Sequence, residues 1–351
     1  MKNEKFIIAV LFVLILLSFS SFNSGSASNQ TKCFPMLWNQ GITKKSWVYL
    51  EQDEPRFYKK NSDISDGDHL KMPKNSWDAT YIDYETRQKF STPDKTNASF
   101  KFVTTGYRIE DQKKEFGFDF MVLNKDKKNE EPFIFRISNN SQKTDSKTAG
   151  TVREVGFVFD NWPQYWADEK KWTGGYHSFS GNYQVEKLNN LTVKFKFRLV
   201  DFNAPLKKNS IQGKWIGSYA TCDLRFTEYD ENGKVIKPYL IGIVFSNPLN
   251  VDYTDNKDDG ILFGSPASKN SQQQILLLHG DKNGVKEINS ITPENRFQTV
   301  EIDFKPLINK YLNINKKHKN IITGIDIYSA TRAVNFTYDI QDIQVTGCTN
   351  N

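Results

Sequence analysis

The stretch LTVKFKFRL, residues 191–199, places an apolar side chain at every second position and a polar or charged one at each position between. A period of two is that of an extended strand, in which successive side chains point to opposite faces of a sheet. One face of this strand is therefore predicted to be buried and the other to meet water, as in antiparallel sheets. The same alternation recurs in four further segments, at residues 116–122, 133–137, 300–304 and 336–340.

The remaining pattern is also mostly that of strands. Residues 239–245 and 275–278 are apolar almost throughout, which is typical of strands buried on both faces. Asn-Gly pairs at 232–233 and 283–284 predict tight hairpin turns. A helical spacing of apolar residues is convincing at 305–312 alone. Many strands with one short helix predict an all-β fold, an antiparallel β-sandwich of the jelly-roll type.

The first 27 residues have the features of a secretory signal peptide. Lys2 and Lys5 precede the apolar run 6–17, and most of residues 18–27 are small or polar. The run is too short to span a bilayer comfortably, so we expect a secreted, extracellular protein without integral membrane association. Residues 28–351 are expected to form a single elaborated β-sandwich. The alternative is an N-terminal β region at 28–150 followed by a jelly roll at 151–351.

Composition narrows the classes of function. Charged residues make up 25% of the chain and aromatic residues 14%, which excludes wholesale disorder and leaves ample material for a core. The net charge is +6, but positive and negative residues are interspersed and no long basic tract occurs. We therefore expect no nucleic-acid partner, while weak attraction to anionic surfaces or polysaccharides stays open.

Three cysteines remain after the predicted signal peptide. Strand alternation places Cys222 on the apolar, inward face of residues 218–226. A disulfide between Cys33 and Cys348 is then the economical pairing in an exported chain, with Cys222 a buried free thiol. The four histidines are scattered without CxxC or HExxH spacing, so neither a metal site nor a cofactor is predicted. The acidic stretch 252–260 lacks the EF-hand pattern and is interpreted as a solvated turn, with a calcium loop as the alternative.

Asn-x-Ser/Thr triplets predict N-glycosylation, and each would mark a surface position. The five acceptor residues are Asn29, Asn97, Asn139, Asn190 and Asn335.

Large rings crowd the turn-rich segment 157–183, which also contains Pro163 and several glycines. Turn residues bring the backbone to the surface, where rings are useful if they line a groove for a ligand with flat apolar faces, such as a sugar. A loop-anchoring aromatic cluster and a patch for a partner protein are the alternatives. In the groove hypothesis His177 donates a hydrogen bond to a sugar hydroxyl. The predicted carbohydrate-binding residues are Trp162, Tyr165, Trp166, Trp172, Tyr176 and His177.

From residue 174 onward the order of motifs resembles glycoside hydrolase family twelve, the concanavalin-like jelly-roll endoglucanases and xyloglucanases. Residues 176–181 resemble the family's cleft segment Tyr-Pro-Glu-Ile-Ile-Tyr-Gly, and 191–193 its Leu-Thr-Val strand. Further similar segments are 219–226 (the Tyr-Asp-Ile-Trp-Leu strand), 240–245 (Glu-Leu-Met-Ile-Trp), 304–312 (the lone helix) and 323–331 (the strand ending in Gly-Thr-Glu).

The family's two catalytic glutamates have no counterpart at the matching positions. A retaining mechanism needs two carboxyl groups about 5–5.5 Å apart across the glycosidic bond. The first falls near Leu240 or Ile241 and the second near Thr331, neither of them acidic. Asp326 is close to the second position in sequence, but alternation places it at least two residues away. The resemblance therefore implies a sandwich with no catalytic residue.

The sequence leads to a secreted, non-catalytic carbohydrate-binding protein whose partner is a polysaccharide or other glycan. One alternative is a secreted glycoside hydrolase or lyase that acts on a β-glucan-type polysaccharide through a displaced carboxylate pair. Glu154 and Glu228 are the carboxylates to examine for that role, because each lies in or beside a predicted strand. The other alternative is a structural or signalling matrix glycoprotein without a sugar ligand.

Overall fold

A computed structural model describes residues 31–37, 47–52, 80–83, 89–90, 100–105, 118–123, 132, 134–141, 153–160, 178–205, 216–249, 260–265 and 274–350 of the chain. These residues form sixteen β-strands in two sheets and one α-helix. The predicted all-β sandwich is therefore confirmed. The predicted signal peptide, residues 1–27, lies outside the described residues. Among those described, no helix is long and apolar enough to cross a membrane.

The first sheet has six strands: β1 (Thr31–Pro35), β6 (Phe118–Val122), β7 (Ile134–Asn140), β9 (Asn190–Asn203), β14 (Gln298–Asp303) and β16 (Asn335–Asn350). Their order is β14-β9-β16-β7-β6, and β1 pairs with the C-terminal part of β16. Every one of these pairs is antiparallel, as the alternating segments predict.

The second sheet has ten strands: β2 (Trp47–Gln52), β3 (Thr80–Asp83), β4 (Lys89–Phe90), β5 (Phe100–Thr105), β8 (Arg153–Asp160), β10 (Gly217–Tyr229), β11 (Val235–Ser246), β12 (Ile261–Ser265), β13 (Gln274–His279) and β15 (Lys319–Arg332). Their order is β12-β13-β11-β10-β15-β8-β5-β2-β3-β4. Two pairs, β11–β13 and β2–β5, are parallel rather than antiparallel. The β11–β13 pair is parallel because β12 lies between the two strands in sequence. Strand β12 occupies the edge of the sheet and runs antiparallel to β13, which lies beside β11.

Strand β9 shows why the chain folds this way. Its inward residues Leu191, Val193, Phe195, Phe197 and Leu199 are almost completely buried, whereas the charged residues between them face outward. Burying each such side chain contributes roughly 1.5–3 kcal/mol relative to exposure. The predicted half-buried strand at 191–199 is confirmed.

The core lies between the inner faces of the two sheets. Phe195 and Phe197 of β9 pack edge-on against Phe245 of β11, with ring centroids 5.0 and 5.3 Å apart. Phe135 of β7 meets Phe157 of β8 in the same way, at 5.2 Å. Helix α1 (Phe304–Tyr311) follows β14 directly, at the predicted position, and adds its buried residues to this core.

One of the two predicted hairpins is present. Strands β10 and β11 are joined at residues 230–234, where Gly233 has φ +78° and the Asp230 carboxylate accepts hydrogen bonds from two backbone N–H groups. The prediction at 283–284 is wrong, because β13 and β14 belong to different sheets. Asn283 instead ties the crossing segment to its surroundings: its amide donates to the carbonyl of Gly260, and its Oδ1 accepts from the Tyr311 hydroxyl at 2.6 Å.

The two ends of the described chain are joined covalently. Cys33 on β1 lies directly opposite Cys348 on β16, and the two form a disulfide. Cys222 is a buried free cysteine on the inward face of β10. The predicted pairing is therefore confirmed.

The described strands before residue 150 pair into the same two sheets as those after it. Strand β5 pairs with β8, and β7 pairs with β16. How the chain divides into domains stays a prediction.

Candidate functional site

The outer face of the ten-stranded sheet carries a polar cluster at its centre. In β10, Asp223 and Arg225 point away from the core because Cys222 and Leu224 point into it. Asp223 lies directly opposite Asp326 of β15, and Arg225 lies opposite Gly324. Because directly opposed residues have Cβ atoms about 4.5–5.5 Å apart, the two aspartates are side by side on one face.

Two glycines on this face make room for side chains of a neighbouring strand, and a third allows two strands to approach closely. A Cβ at Gly242 of β11 would collide with the Asp223 carboxyl, and one at Gly324 would collide with the Arg225 guanidinium. A Cβ at Gly156 of β8 would instead collide with β15 itself, at the carbonyl oxygen of Ile327 and at the Cα and Cβ of Tyr328. The polar side chains therefore lie close to the main chain of the adjacent strands, in space that the side chain of any residue other than glycine would occupy.

Asp223 is a buried carboxyl whose environment disfavours charge. It is 0% exposed, and neither oxygen has a hydrogen bond of normal geometry among the described residues. Burial raises the pKa of Asp223 well above its usual range, and the negative charges of Asp326 and Glu154 raise it further. The hydroxyls of Thr221 and Tyr328 lower it by a smaller amount, without completing a normal hydrogen bond.

Asp326 is paired with a cation. It accepts a hydrogen bond from Arg225 Nη2 at 2.8 Å, and the two side chains are 13% and 27% exposed. Burial and the neighbouring charge of Asp326 therefore make Asp223 hold its proton more tightly than an ordinary aspartate does. Burial also raises the pKa of the Tyr328 phenol well above its usual value, with Asp223 adding to the effect.

The positions near which the resemblance places the family's catalytic glutamates carry no carboxyl group. Ile241 is buried in the core between the sheets, and Leu240 packs in a small apolar cluster on the outer face. Thr331 points inward and is fully buried, with its hydroxyl donating to Asn139 Oδ1 at 2.9 Å. Asp326 lies on the opposite face of the sheet from Thr331, so it does not replace the missing group.

The two carboxylates that the sequence favoured occupy different places. Glu154 of β8 lies opposite Ala330, partly buried on the same outer face as Asp223. Glu228 lies near the end of β10, where it accepts a hydrogen bond from the Tyr239 hydroxyl at 2.8 Å and pairs with His318 at 2.7 Å. Glu228 therefore fastens the segment before β15 to the sheet and is not part of the cluster.

Sequence reasoning missed Asp223. The alternation that placed Cys222 inward also places Asp223 outward, so its face was available from the sequence. The pairing of Asp223 with Asp326 could not be predicted from the sequence, because the register between β10 and β15 joins segments about a hundred residues apart.

The predicted carbohydrate-binding residues, Trp162, Tyr165, Trp166, Trp172, Tyr176 and His177, all lie outside the described residues. Their role stays a prediction. The described chain shows where their segment begins: β8 ends at Asp160, which is opposite Gly324 of β15. Asp160 is thus at the level of Arg225, two pairs of residues along the sheet from the two aspartates.

The predicted glycosylation sites differ in their surroundings. Asn139 is fully buried, and its amide nitrogen donates to Ser329 O and Oγ at 3.0 and 3.2 Å, so the prediction of a surface site is wrong there. Asn190 and Asn335 are partly exposed, and each donates one hydrogen bond to an aspartate. A glycosylated amide keeps one N–H, so both stay predictions. Asn29 and Asn97 lie outside the described residues, as does most of the acidic stretch 252–260.

No group of three or more His, Cys, Asp or Glu side chains suited to a metal ion occurs in the part of the chain that the structure describes.

No protein-family model matches this chain, and no curated protein sequence matches it. Solved structures of family 12 enzymes are similar to it. An endoglucanase from Rhodothermus marinus has 10% identity and a TM-score of 0.36, over 67% of this chain and 93% of its own. The family 12 xyloglucanase from Bacillus licheniformis has 10% identity and a TM-score of 0.32, over 66% and 93%. Endoglucanase 3 of Trichoderma harzianum has 9% and 0.30, over 67% and 91%. The family is the one whose motifs the sequence resembles, and at these values the similarity carries no argument about activity.

Proposed function

We propose that this protein is a secreted, non-catalytic carbohydrate-binding protein whose glycan lies on the outer face of the ten-stranded sheet. The observation that carries the proposal is the cluster at the centre of that face. Arg225 and Asp326 are partly exposed there and offer fixed donors and acceptors to hydroxyl groups. Their positions are held by their mutual ion pair and by the glycine that accommodates the guanidinium.

The aromatic segment supports the same face. The last described residue before the aromatic segment is Asp160, which lies opposite Gly324, the residue that pairs with Arg225. Stacking of sugar faces on Trp162, Trp166 and Trp172 would supply affinity, and the ion pair would fix orientation.

The absence of catalysis is proposed from the state of the carboxyl groups. A retaining hydrolase needs two carboxyls that both reach the glycosidic bond. On the described face Asp223 is fully buried, and its raised pKa disfavours the ionised form that a nucleophile needs. Near the family's catalytic positions, Leu240 and Ile241 are apolar, and Thr331 is uncharged and fully buried.

Affinity electrophoresis through gels containing a neutral β-glucan tests the proposal. We expect wild-type protein to be retarded without release of reducing sugar. Asp326→Asn and Trp172→Ala should each weaken retardation about tenfold or more, consistent with the loss of a charge-assisted hydrogen bond of about 1.5–3 kcal/mol in the first case. Asp342→Asn, which removes a carboxylate on the other sheet, is the matched control and should leave retardation unchanged.

Two results would contradict the proposal. Release of reducing sugar by the wild type would place the protein among the hydrolases. A Trp172→Ala variant that loses roughly 3–5 kcal/mol of stability while keeping its retardation would instead support a loop-anchoring aromatic cluster.

A further inference from the structure

On the outer face of the six-stranded sheet, two arginines share one buried carboxylate. Asp339 of β16 lies directly between Arg198 of β9 and Arg136 of β7. Arg136 forms a bidentate pair with its two oxygens at 2.8 and 3.0 Å, and Arg198 donates twice to Oδ2 at 2.9 and 2.6 Å. Asp339 is 0% exposed, so this row of three residues is fixed by four charge-assisted hydrogen bonds.

Among the described residues, the row pairs two positively charged groups with a single carboxylate. Elsewhere on β9 each cation has its own carboxylate: Lys194 pairs with Glu301 at 2.6 Å, and Lys196 with Asp342 at 3.3 Å. In the row, one carboxylate serves two guanidinium groups that are always ionised. One guanidinium is enough to neutralise the charge of Asp339. The second guanidinium therefore repels the first unless an anion binds beside them.

The donors for such an anion are in place. Nη1 of each arginine has no hydrogen-bond partner among the described residues, and the side chains are 32% and 24% exposed. The Phe297 ring lies 4.7 Å from the Arg198 guanidinium carbon and restricts its motion. Beside the row, Thr337 and Ser138 present hydroxyl groups 3.0 Å apart. Because the two arginine side chains are already held in place, they lose little conformational entropy when a ligand binds.

The neighbouring cations indicate an extended ligand. Every second residue on the outward side of β9 is a cation: Lys194, Lys196 and Arg198. At 3.4 Å per residue, successive cations are about 7 Å apart along the strand. A linear chain with repeated negative groups would run along this line, and its anionic groups would compete with Glu301 and Asp342 for the two lysines.

We propose that the Arg136–Asp339–Arg198 row binds the oxyanion group, carboxylate or sulfate, of an acidic polysaccharide. This surface is on the opposite sheet from the neutral-glycan face, and the inference does not rest on the proposed function.

Affinity electrophoresis at about 0.1 M salt tests it, with one gel containing polygalacturonate and one containing dextran sulfate. We expect wild-type retardation in at least one gel, which identifies the oxyanion, and weaker retardation as salt is raised. Arg198→Gln should weaken retardation about tenfold. The control Lys234→Gln removes the same charge from an exposed turn on the other sheet and should change it less than about twofold.

A thermal melt of each variant separates binding from folding. If Arg198→Gln does not fold, Arg198→Lys keeps the charge but lacks the free Nη1, and it should also bind less tightly than wild type. Absence of wild-type retardation in both gels would overturn the proposal. Equal retardation of wild type, Arg198→Gln and Lys234→Gln, or equal weakening by both glutamine variants, would overturn it as well.

Discussion

At the scale of single residues, Asp223 is the most unusual group in the described chain. Its carboxyl is fully buried and lacks a normal hydrogen bond, and it faces a second aspartate. Such a group costs free energy when it ionises, so its presence ties the stability of the sheet to pH.

The raised pKa of Asp223 predicts the direction of that dependence. The folded state holds the proton more tightly than the unfolded state, so this group favours folding most below the unfolded pKa of about 3.9. As pH rises from there through the folded pKa, stability is lost, by about 1.4 kcal/mol for each unit that separates the two values. Asp223→Asn should flatten this decline, as measured by denaturant unfolding from pH 4 to 8.

The exposed Glu231 provides the comparison, because Glu231→Gln removes a carboxylate from a turn without touching the cluster. Its pH profile should follow that of the parent. If Asp223→Asn shows the same decline as the parent, the proton does not reside on Asp223.

At the scale of strands, glycine decides how the outer face of the ten-stranded sheet packs. Gly242→Ala places a Cβ against the Asp223 carboxyl and Leu277, and we expect a loss of about 1–3 kcal/mol in the free energy of unfolding. Gly181→Ala is the control, because its Cβ would make only ordinary contacts with Tyr183, the nearest at 3.5 Å.

A double-mutant cycle with Asp223→Ala identifies the clash. If the Asp223 carboxyl is the obstacle, part of the cost of Gly242→Ala should disappear in the Asp223→Ala background. Additive effects would assign the cost to Leu277 instead.

Strands could be predicted from the sequence where one face is buried, because burial imposes a period of two. The period of two correctly predicted β9, and it placed Cys222 on the correct face of β10. The hairpin predicted at Asn283-Gly284 was wrong because the same local turn chemistry also suits a crossing between sheets, and only the partners of β13 and β14 distinguish the two.

At the scale of the whole molecule, the candidate site is made by strands that are distant in sequence. Asp223 and Asp326 come from β10 and β15, while Gly242 and Gly156 come from their outer neighbours β11 and β8. No local pattern encodes that order of strands. Asn139 shows the same limit, since its triplet predicts a surface glycan and its burial depends on contacts with β15.

The disulfide between Cys33 and Cys348 holds the two ends together across 315 residues, and removing it tests how much the fold depends on that closure. A long closed loop restricts the unfolded chain strongly, so replacing both cysteines with serine should lower the free energy of unfolding by about 2–5 kcal/mol. The effect should include weaker docking of Met36 and Leu37, which β1 brings into the core. Cys222→Ala is the control: it should leave the disulfide intact by mass spectrometry, and reductant should still destabilise this variant. A double serine variant as stable as the parent in urea would show that β1 is held by its strand pairing and core contacts alone.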